Sequence, residues 1–264
     1  MTQPVRHPAR PLLPRLLAVL AMAVPGTTLA VAPAGPLDDA RQLVLVTTPG
    51  WDATDGTLHR YERAATDARW REVARFPVAV GRSGSAWGSG LHPAGAHDDG
   101  PRKREGDGRS PAGVFAIGTA FGYADAADTR LAYAPMRLSH YCMDVPASPL
   151  YNRIVDADAV GRGAVEGSTE PMRLDLHNDG DPRYRIGFVI EHNAGNVPGD
   201  GSCIFAHLWR TPGEATAGCT AMDEADMRAL LAWLDPQAQP RFVLLPEAEQ
   251  RRLASAWALP EAGR

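Results

Sequence analysis

Apolar residues along this chain come in short runs cut by turn signals, and long helical stripes are rare. Residues 42–47 (QLVLVT) are rich in Val and Leu and predict a buried strand. Pro49-Gly50, Asp52 and Asp55-Gly56 then make a turn region. Residues 58–63 and 70–76 alternate loosely between apolar and polar, a pattern that predicts a hairpin, and 78–80 predicts one more strand ending at Gly81. Residues 110–117 (SPAGVFAI) read as a turn into a strand, and 120–133 as irregular. Residues 172–176 fit either a short strand or one helical turn. Residues 184–191 (YRIGFVIE) are a clear strand, and the Gly/Pro turn at 196–201 leads back into 202–208, a hairpin carrying His192 and His207. Met227, Leu230, Leu231 and Leu234 recur at helical spacing, with Asp223 as N-cap, Asp226 in the capping-box position and Pro236 as the stop. Residues 241–245 (RFVLL) predict the last strand and 247–257 a short tail helix. Many short strands and one strong helix predict a mainly β fold, a β-rich sandwich.

Between 81 and 110 the pattern lapses. Eight glycines, Gly81 to Gly108, punctuate a long loop with almost no apolar periodicity. His92, His97, Asp98 and Asp99 fit no familiar metal spacing and read as solvated loop residues. Lys103, Arg104 and Arg109 either meet a carboxylate on a substrate or form a solvated charge run.

At 264 residues the chain holds one large domain or two small ones, and its net charge of −4, without a basic aromatic stripe, gives no case for nucleic acid. The N-terminus has its own logic. Arg6, His7, Arg10 and Arg15 precede a short apolar run at 16–24, then Pro25-Gly26 and the small-residue stretch Thr28-Leu29-Ala30. That order predicts a secretory signal peptide; the alternative is a retained anchor. Export places the three cysteines, Cys142, Cys203 and Cys219, in an oxidising compartment, where an odd count leaves one thiol over. If Cys219 is that thiol, Cys142 and Cys203 are either disulfide partners or two buried thiols; nothing in the sequence fixes their distance.

The chemistry concentrates in residues 204–220 (IFAHLWRTPGEATAGCT), where His207 ends a predicted strand and Cys219 follows Gly218 on a turn just before the helix. A thiol on a tight turn with an imidazole folded onto it suits nucleophilic cysteine catalysis, the histidine taking the proton. Gly218 lets the backbone turn, so amides near Gly218 and Cys219 could face a developing oxyanion, and the helix's positive end would favour a thiolate. The bland reading of Cys219 is an inert buried small hydrophobe.

His207 followed by Thr216-Ala217-Gly218-Cys219 resembles the H…[ST]-x-G-C signature of the L,D-transpeptidase (YkuD-type) catalytic domain. Residues 110–115, 151–156 and 190–193 resemble further segments of one branch of that family, so the likeness runs from about residue 41 to about 246. It implies a YkuD-like β-sandwich spanning 33–246, after a signal peptide and linker at 1–32 and before a tail at 247–264. It implies Cys219 as nucleophile, His207 as base, Gly218 at the oxyanion, and Thr216, Ala217, His192, Asn193, Tyr151 and Asn152 as substrate-lining or orienting residues. The implied partners are peptidoglycan stem peptides and a wall-attached protein as one possible acceptor, in the periplasm or cell-wall space, with no metal or organic cofactor; a monomer is assumed. Two positions depart from the pattern: Ala221 stands where many members carry arginine, and Leu208 where a glycine often follows the histidine. The rival readings are hydrolysis of the same bond by an L,D-carboxypeptidase or amidase, a wall-binding module without turnover, and a zinc hydrolase using His192, His207 and Cys219.

Overall fold

The computed structural model describes residues 1–3, 35–94 and 100–261. Contacts divide the chain into Met1–Pro33 and Ala34–Arg264; the signal-peptide segment of the sequence reading, and His97, Asp98 and Asp99, lie outside the described residues. Among the described residues no helix is long and apolar enough to cross a membrane.

The apolar run at 42–47 forms β1 (Gln42–Thr48), where Leu43, Val44, Leu45 and Val46 are all fully buried, so the strand is covered on both faces. The predicted hairpin is β2 (Asp55–Glu62) and β3 (Arg71–Ala79), and the separate strand expected at 78–80 is the end of β3. Within the glycine-rich loop lies β4 (Ser85–Trp87). The strand expected to stop near 117 runs on as β5 (Ser110–Gly122), taking in residues 120–122 that the sequence left irregular. A partner explains the extension: residues 113–116 pair with the last long strand, β13 (Arg241–Pro246), and residues 117–122 with β10 (Ile186–Ile190).

That switch of partner closes the sheet. With β11 (Phe205–Leu208) and β12 (Thr220–Met222), the ring runs β10–β11–β12–β3–β2–β1–β13–β5 and back to β10. The mainly β expectation holds, and the layers of the expected sandwich are joined by β5 into an eight-strand mixed barrel. Closure leaves none of these eight strands with an open edge along the shared segments. Beside β5 lies the short β6 (Tyr133–Pro135).

The helix α3 (Glu224–Trp233) is capped by the Asp223 side chain, which accepts from the Ala225 amide, and it buries Met227, Leu230 and Leu231. After β13 the chain forms α4 (Glu247–Leu253), and Leu253, Trp257 and Leu259 join the main core.

Between β5 and β10 the chain leaves the barrel to build a small cap. Its sheet is β7 (His140–Cys142) flanked by β8 (Ile154–Asp156) and β9 (Glu170–Pro171). Two one-turn helices, α1 (Ala157–Val160) and α2 (Leu174–His177), complete it, the second resolving the strand-or-turn alternative at 172–176. A second apolar cluster joins cap to barrel, built from Phe121, Met136, Met172, Leu174, Tyr184 and Phe205 around the cysteines. The open question about Cys142 and Cys203 is answered: they form a disulfide that ties β7 to the segment entering β11. The bridge spans 61 residues of sequence, and loop closure of that length is worth about 4 kcal/mol in the chain-entropy account. Replacing both cysteines by alanine is therefore expected to lower the urea-unfolding free energy by roughly 2–4 kcal/mol; an unchanged midpoint would show that the bridge contributes nothing.

Candidate active site

His207 is the third residue of β11, and Cys219 lies immediately before β12, which runs parallel to β11. In the observed register Ala206 faces Thr220 and His207 faces Ala221. Side chains alternate along a strand, so Phe205 and His207 share one face. Cys219 and Ala221 share that face as well, which makes the thiol and the imidazole diagonal neighbours on the side covered by the cap.

The turn before Cys219 is fixed from both sides. Thr216 Oγ donates to the Cys219 carbonyl at 2.7 Å and accepts from the Gly218 amide at 3.1 Å. Ser110 Oγ donates to the same carbonyl at 2.8 Å and accepts from the Gly81 amide at 2.9 Å. Gly218 holds a φ of 155°, and a Cβ there would stand 3.1 Å from the Arg109 carbonyl oxygen. Only glycine meets both demands comfortably. The Gly218 amide is thus engaged inside its own turn. Ala217 is exposed at the outer edge of the loop.

The thiol is enclosed. Cys219 is 7% exposed, the one free cysteine of the chain. Its sulfur accepts from the Phe205 amide at 3.3 Å and donates to the Cys203 carbonyl at 3.5 Å. Burial pushes the thiol up to about 12, with the nearby Glu170 charge acting in the same direction. His207 is buried too, and desolvation holds its imidazole down at about 4. Its Nδ1 lies 2.7 Å from the Leu208 carbonyl. A carbonyl only accepts, so Nδ1 carries the hydrogen and Nε2 keeps a free lone pair. The resting site is a neutral thiol beside a neutral imidazole.

One sequence expectation is corrected here. Cys219 does not open directly into the helix: β12 and the Asp223 cap intervene, so the helix N-terminus lies beyond the strand. The dipole is screened and falls off within about one turn, and the thiol is raised, not lowered.

Beside the site is a groove of about 520 Å³, walled by Phe121, Asn152, Arg153, Glu191, Cys203 and Phe205 among others. Cys203 and Phe205, the two residues hydrogen-bonded to the thiol, are part of its wall. Asn152 reaches it while bracing the scaffold: its amide nitrogen donates to the His192 and Asn193 carbonyls, and its oxygen accepts from the Cys203 amide.

The other residues named from the sequence form a separate cluster. His192 is buried with Nε2 2.9 Å from the Asp200 carbonyl and its ring edge-on to Phe115. Asn193 closes the 193–201 turn through Val197 and Gly201. Tyr151 bonds Glu105, which also accepts from Ser202 Oγ at 2.7 Å. These side chains hold the loop entering β11 and do not meet Cys219. Among the described residues no His, Cys, Asp or Glu cluster is arranged to hold a metal, and His192 is not grouped with His207 and Cys219.

The glycine-rich loop supports the Cys219 turn, the Arg82 amide donating to the Thr216 carbonyl at 2.8 Å. The Lys103 ammonium is buried on Asp107 at 2.6 Å, and Arg109 pairs with Asp52 at 2.8 Å, so both bind their own chain. His92, expected in solvent, is 7% exposed and accepts from the Val114 amide at 3.0 Å. Sequence reasoning also missed two residues. Tyr184 stacks edge-on against His207, ring centroids 5.3 Å apart, and its hydroxyl donates to Glu170 at 2.6 Å. Tyr184 stands two residues ahead of β10, at the start of a run that the pattern showed plainly, but Glu170 sits in a polar stretch with no periodicity to flag it.

Compared with known protein families, residues 60–243 match the YkuD L,D-transpeptidase catalytic domain, well over half of the chain. No curated protein matches it. A buried thiol and an imidazole with a free Nε2, placed on one barrel face by adjacent parallel strands, agree with that match: the chain belongs to the YkuD L,D-transpeptidase family, whose chemistry is on cell-wall peptides.

Proposed function

We propose that the protein is an exported L,D-transpeptidase acting on peptidoglycan stem peptides through a thioacyl-enzyme on Cys219. The observation that carries this reading is the β11–β12 register, which puts a histidine with an unencumbered Nε2 on the same face as the chain's one free thiol. As substrate binds, His207 Nε2 takes the thiol proton while the sulfur attacks the carbonyl joining the third stem residue to D-alanine. The pair ionises as attack proceeds, since burial penalises a resting thiolate–imidazolium pair. The Cys219 amide, with its turn held by Ser110 and Thr216, supports the tetrahedral oxyanion. Collapse expels the D-alanine amine, which takes the proton back from His207, and leaves a thioester. An acceptor amine from a neighbouring stem or a wall-attached protein then attacks the thioester, losing its proton to His207, and the thiol is regenerated.

The groove walled by Cys203 and Phe205 gives the donor peptide a place to lie. The buried side chains of Ala221 and Leu208, where many relatives carry arginine and glycine, leave recognition of the substrate's carboxylates to residues elsewhere.

Incubation of the mature protein with muropeptides and mass analysis is expected to give 3→3 crosslinks and released D-alanine. Tripeptides without crosslinks would replace this reading by hydrolysis, and no product by a wall-binding module. Cys219→Ala is expected to abolish turnover, and His207→Ala to lower kcat/KM by about 10²–10⁴-fold.

The free enzyme's acid limb follows from the imidazole. His207 is the base only when neutral, which it is above about 4, so kcat/KM is expected to hold from neutrality downward and fall as pH drops through about 4. A fall centred near the ordinary histidine range would show that His207 is solvated in the working enzyme.

A further inference from the structure

Glu170 and Tyr184 take no part in the steps above, yet they reach both members of the reacting pair. Tyr184, just ahead of β10, lays its ring edge-on against His207 at 5.3 Å and against Phe205 at 5.5 Å. Phe205 is the residue whose amide holds the Cys219 sulfur. The Tyr184 hydroxyl donates to Glu170 at 2.6 Å. Glu170 comes from the other side of the site, on cap strand β9, directly opposite Cys142 in register. Cys142 is bonded to Cys203, whose carbonyl takes the thiol hydrogen. The cap thus touches the nucleophile's surroundings twice, once through the disulfide and once through this carboxyl.

We propose that Glu170 and Tyr184 are positioning residues for the Cys219–His207 pair: the cap carboxyl holds the phenol, the phenol ring holds the imidazole, and the carboxyl's charge sets how readily the thiol ionises. This rests on the reading of Cys219 as the nucleophile. Facing Glu170 are Tyr184, Arg183 and Asp181 from the segment before β10, Asp144 from the loop after β7, and Cys219 itself. Desolvation raises the Glu170 carboxyl to about 7, against an opposing pull from the Tyr184 hydrogen bond. Lys103 and Arg183 are the cations whose charge favours the thiolate. The sign follows directly. Below pH 7 Glu170 is neutral and leaves the thiolate undisturbed; above it the carboxylate repels the developing negative sulfur and makes ionisation harder.

The test uses iodoacetamide alkylation of the intact protein from pH 5 to 9. Cys219 is the one free thiol, and labelling reads its ionisation whether or not the protein turns over a peptide. A thiol titrating alone far above this range labels about tenfold faster per pH unit. The wild type is expected to rise by less than tenfold per unit around neutrality, and Glu170→Gln to restore the straight tenfold line. The two would agree at pH 5, with the variant severalfold faster at pH 8. Tyr184→Phe, which keeps the ring and removes the hydroxyl, is expected to move the break to a higher pH, because Glu170 loses the bond that favours its charged form. A straight tenfold line for the wild type overturns the proposal even if the Glu170 variant fails to fold, as does a Glu170→Gln profile parallel to the wild type. A break in the profile without any muropeptide product would leave this coupling standing and remove the transpeptidase reading.

Discussion

The site depends on β11 and β12 being parallel neighbours. Antiparallel strands can be joined by a tight turn, but a parallel pair requires the chain to leave one end and return to the other. Residues 209–219 make that return without a helix, and the returning chain is stitched down before it arrives. The Thr216 amide donates to the Val80 carbonyl and the Arg82 amide to the Thr216 carbonyl. The eleven residues between His207 and Cys219 are thus about the length a compact crossover needs. The register has little tolerance, since a slip of one residue would turn the thiol to the opposite face of the sheet. Ser110 and Thr216 guard against it by holding the Cys219 carbonyl from two sides.

Burial then decides the state in which the pair waits. A desolvated thiolate and imidazolium would each lose hydration, and the local charges do not offset this. Lys103 and Arg183 favour the thiolate, Glu170 opposes it, and the net result is a thiol far above and an imidazole well below their ordinary ranges. A neutral thiol is a poor nucleophile, so a site held this way is quiet toward stray electrophiles. On the proposed mechanism it becomes reactive when a bound carbonyl offers the sulfur's electrons somewhere to go and nearby amides receive the charge.

Legibility in the sequence followed the physics of each element. β1, β2, β10, β13 and α3 could be read because each carries its own periodicity and turn chemistry. β12 could not: its three residues are a strand only because β11 and β3 flank them. The same is true of the last part of β5, which looks irregular until β10 pairs with it. His207 and Cys219 were visible through a short motif, and the engaged states of Arg109 and His92 were not, because partners distant in sequence supply them. The disulfide stayed open for the same reason, since 61 residues separate its cysteines. Glu170 was the hardest to see, as its significance comes wholly from the strand opposite it and the phenol across the gap.

The cap looks at first like an ornament, because β5 and β10 pair directly and the barrel closes without the residues between them. Its attachments argue otherwise. An excursion of this length needs fixed points to hold one position, and the cap has two that matter here, Cys142 on Cys203 and Glu170 on Tyr184. Cys203 and Tyr184 both touch the Cys219–His207 pair, one by accepting the thiol hydrogen and the other by packing on the imidazole. Any shift of the cap therefore changes the acceptor at the sulfur, the charge beside it and the restraint on the histidine together. A barrel alone can set two side chains on one face. Holding them un-ionised and oriented at the wall of a groove takes a second layer, and in this chain that layer is bolted to the atoms it protects.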